Sequence, residues 1–380
     1  MILADYPRLL RDSLAPLGRP AGCALLNYPE HVNIGDHLIW AGTLRLLAGE
    51  LGTEVRYSSS PEGFSAQRME TALGPDDPIL LMGGGNLGDL WPPIQRFMER
   101  IIARHPRRRI VILPQTLHFQ DPDNARRAAA VFNRHPDLTL FLRDHRSHEE
   151  ARRLFPCCRV HLAPDMALGL AEEAEVFATG HPGAGPTTLL LRRRDRESLT
   201  LPAGEASALE VSADWVSYER GWRMGDRRVP FSRTLIGWYR EWWQRRLAFP
   251  EEYRARNAWF AALRGHRVFG SMLESRHGRF SLGLIWDGCR QLLAHRAVVS
   301  NRLHGHLLSC LLGIPSVLLD NSYGKNRLFH EAWLRDVRGS RFVGAGGDVR
   351  AALEEVLAAG VRRAGQAEPD VRDRHSRARR

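Results

Sequence analysis

Short apolar runs alternate with amphipathic stretches along most of the chain. Runs typical of buried strands lie at residues 24–27, 79–82, 110–114, 138–142 and 160–162. Between them the 3.6-residue period of apolar positions predicts helices, among them one over roughly 92–104 and one over roughly 146–154. Strands that alternate with helices predict a mostly parallel sheet covered by helices on both faces.

A second series of the same kind follows the stretch 171–186, which is rich in Ala, Gly and Pro and predicts a linker. Its strand-type runs are 187–191, 297–299 and 316–320, and helices are predicted over 233–263, 281–295 and 348–360. We therefore predict two Rossmann-like α/β lobes, over residues 1–175 and 185–360, with the active site in the cleft between them. Residues 361–380 are rich in Arg and lack an apolar period, which predicts a disordered basic tail.

Composition narrows the choice of partners. The 380 residues carry a formal net charge of +11, and Lys325 is the single lysine among many arginines. A cationic surface favours anionic lipid or phosphorylated substrates. Nucleic acid is not an expected partner because no nucleic-acid-binding motif is present. The aromatic and basic residues around Trp238 are interpreted as core helix, with a membrane-surface contact as the alternative.

The lengths of the apolar runs and the spacing of the cysteines predict the compartment of the protein and whether it holds a metal. No apolar run approaches the roughly 20 residues of a membrane span, and the N-terminus lacks the pattern of a signal peptide. We therefore expect a cytoplasmic protein with peripheral contact to the inner face of the plasma membrane. The five cysteines have no zinc-ligand spacing, so reduced thiols and no metal site are expected. The sequence leaves the oligomeric state open.

Candidate chemistry is concentrated at Arg302, His304 and His306, which begin the predicted helix between the runs 297–299 and 316–320. A helix N-terminus attracts anions, arginine adds a two-point anion clamp, and histidine moves protons near neutral pH. Each of these residues alone is more often a cap or a surface group. We favour a functional role for Arg302 and His304 because ligands of open α/β sheets bind at the carboxyl ends of strands. For His306, a site role and simple packing remain equally open.

Two similar glycine-containing elements lie near other predicted strand ends. Asn33-Ile34-Gly35-Asp36 precedes a helix, and Asn86-Leu87-Gly88-Asp89 follows a strand and a triple glycine. Glycine allows the backbone to approach a ligand closely, and each Asp can cap a helix or accept a hydroxyl proton. The triple glycine, residues 83–85, is part of neither a dinucleotide-binding motif nor a P-loop motif.

Three charged residues follow further predicted strands. Arg143 ends one strand and Lys325 lies in the loop after another, so both can supply positive charge to the cleft. The alternative for Arg143 is an ion pair with Asp144 or Glu149. Asp165 either caps a helix or lines the site.

Taken in order, these motifs resemble the polysaccharide pyruvyl transferase family, and its exopolysaccharide subgroup most. The resemblance covers roughly residues 20–330 with gaps. It is carried by residues 33–37, 83–89, 113–116, 143–147, 163–165 and 302–305, with Gly313-Ile314-Pro315 and Lys325. It implies a two-lobed fold of the GT-B type and transfer of pyruvate from phosphoenolpyruvate to a pair of sugar hydroxyls as a cyclic ketal. No cofactor or metal is implied.

The resemblance also implies roles for individual residues. His304 would be the acid/base, and Asp36 or Asp89 would orient or deprotonate the sugar hydroxyl. The cations Arg302, Arg143 and Lys325 would bind the donor. The remaining substrate-binding candidates are Asn33, Gly84, Gly85, Asn86 and His306.

The expected acceptor is a lipid-linked oligosaccharide, the repeat unit of an exopolysaccharide, on the side of the N-terminal lobe. Two alternatives remain open. The chain could be a nucleotide-sugar-dependent GT-B glycosyltransferase of exopolysaccharide synthesis. It could also be a non-catalytic basic scaffold that binds anionic polysaccharide or membrane.

Overall fold

The strands of the chain form two parallel sheets. The structure is a computed structural model that describes residues 3–181, 183–193, 210–219 and 250–359. The predicted basic tail and the aromatic residues around Trp238 lie outside these ranges. The strands of the first sheet are β1 (Gly22–Leu26), β2 (Glu54–Ser59), β3 (Ile79–Leu81), β4 (Gly84–Gly88), β5 (Ile110–His118), β6 (Leu138–Leu142) and β7 (Arg159–Leu162).

The first sheet has the strand order β2-β1-β3-β5-β6-β7, and β4 pairs with β5 beyond the end of β3. All its pairings are parallel. Every residue of β1 and β6 is buried, as expected for strands covered by helices on both faces. The helices of this half are α1 (Tyr6–Ser13), α2 (Ile34–Leu44), α3 (Ala66–Ala72), α4 (Pro92–Arg104), α5 (Pro122–Phe132), α6 (His145–Leu154) and α7 (Ala174–Ala178).

The second sheet contains β8 (Thr188–Leu191), β9 (Val211–Ala213), β10 (Ala297–Ser300), β11 (Ser316–Leu319) and β12 (Ser340–Val343), in the order β12-β11-β10-β8-β9. Its pairings are also parallel. The helices of this half are α8 (Val216–Glu219), α9 (Pro250–Leu263), α10 (Arg267–Glu274), α11 (Arg276–Leu293), α12 (Leu303–Leu311), α13 (Lys325–Phe329) and α14 (Val349–Ala358). The predicted class, an α/β protein with two parallel sheets, is confirmed.

A continuous apolar core joins the two lobes. Buried residues of one cluster come from both sheets, for example Leu25 of β1 and Leu189 of β8. Helices α2 and α11 pack closely, since a Cβ added at Gly288 would lie 2.9 Å from the Ile34 side chain. The two lobes therefore share a packed interface.

Several elements differ from the sequence prediction. The predicted linker contains α7, whose Phe177 is fully buried, because its apolar residues pack against the shared core. Strand β2 and helices α3 and α5 were not predicted, since their exposed residues weaken the apolar period. Residues 84–88 form a strand, β4, that was not predicted; Gly84 and Gly88 both have φ of +133°, which favours glycine.

Within the described ranges, no helix has the length and apolar character needed to cross a bilayer.

Candidate active site

A cavity of about 600 Å³ lies between the lobes, where strands of both sheets end. Most of the predicted site residues line it, and both lobes contribute. They are Asn33, Asp36, Gly85, Asn86, Arg143, Arg302, His304 and Lys325.

Arg143 extends from the end of β6 and is 1% exposed. Its Nε donates to Thr116 Oγ1 at 2.8 Å, and its Nη1 donates to Asp165 Oδ2. The predicted alternative partner, Asp144, instead accepts from the backbone N–H of Ser147 at 2.7 Å and caps α6. The guanidinium is thus fixed by two side chains before any ligand binds, which lowers the ordering cost of binding.

The second cation, Lys325, meets Arg143 at Gly85. A Cβ added at Gly85 would lie 3.4 Å from Nη2 of Arg143 and 3.8 Å from Nζ of Lys325. Lys325 is 6% exposed, and its ammonium lies over the ring of Tyr323, 5.3 Å from the ring centroid. Two cations from different lobes therefore converge on one stretch of backbone that lacks a side chain. This arrangement suits a small ligand with more than one negative charge.

Arg302 immediately precedes α12, as predicted, and reaches the cavity. Its Nε and Nη2 donate to the two carboxylate oxygens of Asp214, the second at 2.9 Å. The guanidinium also lies 5.0 Å from the ring centroid of Tyr218. Arg302 is therefore held in place by a two-point ion pair.

His304 follows in the first turn of α12. Its Nε2 lies 3.3 Å from Oδ2 of Asp165, the oxygen that also accepts from Arg143. Asp165 is fully buried, and its Oδ1 accepts from the backbone N–H of Ala167 at 2.9 Å. Burial raises the pKa of this carboxyl, but His304 and Arg143 outweigh that effect and hold the pKa well below its usual range. Asp165 is therefore an ionised carboxylate shared between the histidine and a cation.

The element Asn33-Ile34-Gly35-Asp36 forms the wall opposite α12. A Cβ at Gly35 would lie 2.5 Å from Nδ1 of His304, so glycine is needed for the two lobes to meet here. Asp36 Oδ2 accepts from Asn33 Nδ2 at 2.8 Å and lies 3.4 Å from Nε2 of His31. The carboxylate of Asp36 thus lies on the wall of the cavity that His304 also lines.

The glycine run is held by Gln115 of β5. The Gln115 side chain accepts from Asn86 N at 2.9 Å and donates to the carbonyl of Met82 at 2.8 Å. Asn86 and Gly85 line the cavity, whereas Gly84 lies just behind it, where an added Cβ would be 3.7 Å from Oδ1 of Asp36.

Three predicted site residues do not line the cavity: Gly84, which lies just behind it, Asp89 and His306. Asp89 accepts from the backbone N–H groups of Gln120 at 2.9 Å and Asp121 at 2.8 Å. Burial raises the pKa of Asp89, but these hydrogen bonds lower it by a larger amount, so the pKa is below its usual value. A carboxylate committed to two backbone donors is a poor base, and the structure gives Asp89 a structural role.

His306 is part of α12 and is fully buried. Its ring nitrogens lie 2.8 Å from the hydroxyl oxygens of Ser316 and Ser340, and burial lowers its pKa well below the usual value. The structure therefore departs from the substrate-binding prediction and supports the packing alternative. The spacing of two residues explains this, since residues i and i+2 of a helix point in different directions.

Sequence reasoning missed several residues of the cavity and its supports. Arg193 follows the end of β8 and lines the cavity; its position after a strand was a usable signal. Tyr28 and Trp91 line the wall of the first lobe, and no local pattern marked them. Asp214 follows β9, a strand of three residues that left no apolar run to detect.

Fold and site together define a two-lobed α/β protein, consistent with a GT-B-like architecture, whose cleft is lined by cations and a histidine. Residues 33–323 match the sequence profile of a family described as polysaccharide pyruvyl transferase. The chain belongs to this family and is a pyruvyl transferase that acts on polysaccharides.

Individual relatives agree with this assignment. The chain is 31% identical over 323 residues to "Putative pyruvyl transferase EpsO" of Bacillus subtilis, covering 83% of this chain and 87% of the relative. It is 27% identical to "Pyruvyl transferase 1" of Schizosaccharomyces pombe, covering 82% of this chain and 69% of the relative. A crystal structure of an uncharacterized protein from Klebsiella pneumoniae has the same fold, with a TM-score of 0.52 and 15% identity. The match covers 90% of this chain and 97% of that one.

Proposed function

We propose that the enzyme transfers pyruvate from phosphoenolpyruvate to a pair of hydroxyls on a sugar of a lipid-linked exopolysaccharide repeat unit, forming a cyclic ketal. The observation that carries this proposal is the convergence of Arg143 and Lys325 on Gly85, close to His304. Phosphoenolpyruvate carries a carboxylate and a phosphate on adjacent groups, so it needs several cations within a few ångströms.

Arg143 and Lys325 are the proposed primary ligands of the donor. Both are nearly buried, so an anion between them is shielded from water and its attraction is strengthened. Arg302 also lines the cavity, and its positive charge suits the second anionic group of the same molecule.

His304 is the proposed acid. It would give a proton to the methylene carbon of the donor, while a sugar hydroxyl oxygen bonds to the central carbon and loses its proton to Asp36. The bond from that carbon to the phosphate oxygen then breaks and phosphate leaves with the bonding electrons. A second hydroxyl closes the ring. The two hydroxyls lose two protons in total. One of them makes up for the proton that His304 gave to the new methyl group, and the other leaves with the phosphate.

The acceptor is proposed to enter along the first lobe. Tyr28 and Trp91 line the cavity there, and aromatic faces suit the apolar faces of sugar rings. An acceptor carried by lipid fits a cationic protein that works at an anionic membrane surface.

The test is incubation of the protein with phosphoenolpyruvate and lipid-linked oligosaccharides that contain neutral hexoses. Phosphate release together with the mass gain of one ketal-linked pyruvate supports the proposal. A His304→Gln variant with an unchanged melting temperature should show neither. Absence of phosphate release, combined with thermal stabilisation by a nucleoside diphosphate but not by phosphoenolpyruvate, would favour the glycosyltransferase alternative.

A further inference from the structure

The side chain of Asp165 connects three parts of the molecule. Its Oδ1 accepts from Ala167 N, and its Oδ2 accepts from Arg143 of the first lobe and lies 3.3 Å from His304 Nε2 of the second. The carboxylate has no exposed surface, so it cannot itself reach a substrate. Its effect on the reaction must therefore pass through the groups that it touches.

The contact with Asp165 determines the hydrogen position on the His304 ring. An ionised carboxylate only accepts hydrogen bonds, so a ring nitrogen that pairs with it must carry the hydrogen. Nε2 is then the N–H that faces Asp165, and the hydrogen is fixed there in both the neutral and the charged ring. Nδ1 is therefore the ring nitrogen that is left to donate or accept a proton.

The other ring nitrogen, Nδ1, lies against the glycine-containing wall of the cavity. It faces Gly35, at the point where a side chain would collide with the ring, and the neighbouring Asp36 and Asn33 line the cavity. Because Gly35 has no side chain, Nδ1 can lie against the stretch 33–36, two of whose residues line the same cavity as His304.

We propose that Asp165 is a positioning residue that holds His304 through Nε2 and makes Nδ1 the nitrogen that transfers the proton to the donor. This inference rests on the proposed function for the identity of the reaction. The orientation of the ring can nevertheless be measured without any substrate.

The kinetic test compares two variants that both disturb Arg143. Asp165→Asn keeps an oxygen to cap Ala167 but removes the charge that faces His304. Thr116→Val removes the other side-chain partner of Arg143 and leaves the histidine contact intact. Asp165→Asn should lower kcat about 100-fold or more, because a misplaced general acid loses most of its contribution. Thr116→Val should raise the KM for phosphoenolpyruvate with a much smaller change in kcat. Equal kcat values for the two variants would overturn the proposal.

The structural test uses the ¹⁵N NMR signals of the His304 ring in the wild-type protein, assigned by comparison with His304→Gln. The expected neutral tautomer has its hydrogen on Nε2 and a bare Nδ1. A hydrogen on Nδ1 would overturn the proposal even if Asp165→Asn failed to fold. If the wild-type protein shows the expected tautomer but releases no phosphate from phosphoenolpyruvate, the proposed function fails while the role of Asp165 in orienting the ring stands.

Discussion

Arg302, which lines the cavity, forms a two-point ion pair with Asp214. Both residues are almost fully buried, at 3% and 5% exposure, and the guanidinium donates to both carboxylate oxygens. Asp214 follows β9, at the edge of the second sheet, and Arg302 follows β10, two strands away. The pair therefore ties the start of α12, and with it His304, to the edge of the sheet.

Removing one member of this pair should destabilise the protein strongly. We expect Asp214→Ala to lower the free energy of unfolding by about 3–5 kcal/mol, because it removes a carboxylate that pairs with the buried Arg302 charge at two points. Urea denaturation followed by tryptophan fluorescence measures this loss.

The double variant Asp214→Leu/Arg302→Met is the control for that experiment. Replacing both charges with apolar groups should recover most of the stability but not the binding of phosphoenolpyruvate. A loss below about 1 kcal/mol in Asp214→Ala, as is typical of an exposed pair, would contradict the buried geometry.

Gly35→Ala should impair catalysis more than stability. The new methyl group would lie 2.5 Å from Nδ1 of His304, so the ring must shift. A displacement of about 1 Å in a catalytic group can cost about 100-fold in rate. Steady-state kinetics should show this loss in kcat.

Gly49→Ala is the matched control, since a Cβ at Gly49 has its nearest neighbour at an ordinary 3.6 Å. It should leave kcat unchanged and stabilise the helical segment Arg45–Leu51, which contains Gly49, by about 0.5–1 kcal/mol. Equal kcat values for the two alanine variants would show that the His304 ring tolerates the methyl group.

The sequence predicted the architecture well where apolar runs were continuous. The strands that became β5, β6 and β10 are fully or almost fully buried, so their composition alone marks them. Strand β4 could not be predicted, because its glycines adopt strand pairing only when Gln115 and the end of β5 lie beside them.

The two Asn-x-Gly-Asp elements show where prediction of the site ends. Asp36 lines the cavity, whereas Asp89 accepts from the backbone of residues 120 and 121. Their local sequences are alike, and the difference arises from which distant loop packs against each. The same is true of Asp165, whose importance depends on a histidine 139 residues away.

Buried histidines predict a loss of stability in acid. His330 lies 3.3 Å from Ser340 Oγ, and its burial lowers its pKa to about 4. In the unfolded chain the value is about 6.5, so between these values the unfolded state binds more protons. Its contribution to stability is complete above pH ~6.5 and declines by up to about 1.4 kcal/mol per pH unit as the pH falls towards 4.

His330→Gln should make the loss of stability between pH 6.5 and pH 4 shallower by up to about 1.4 kcal/mol per pH unit. Unfolding free energies measured between pH 7 and pH 4.5 test this, with the exposed His145→Gln as the control. Parallel pH curves for wild type and His330→Gln would show that His330 does not titrate differently in the folded state.

Tyr323 should affect donor binding indirectly, by holding the Lys325 ammonium in place. Its ring stacks on His118 of the first lobe, with the centroids 4.5 Å apart, and lies beneath the ammonium of Lys325. Stacking and cation–π contacts each contribute about 0.5–1.5 kcal/mol. Tyr323→Ala should therefore raise the KM for phosphoenolpyruvate about tenfold, because Lys325 loses its support.

Tyr323→Phe keeps the ring and should behave like wild type. If Tyr323→Ala instead lowered kcat with an unchanged KM, Tyr323 would act on the chemical step and not on the placement of Lys325.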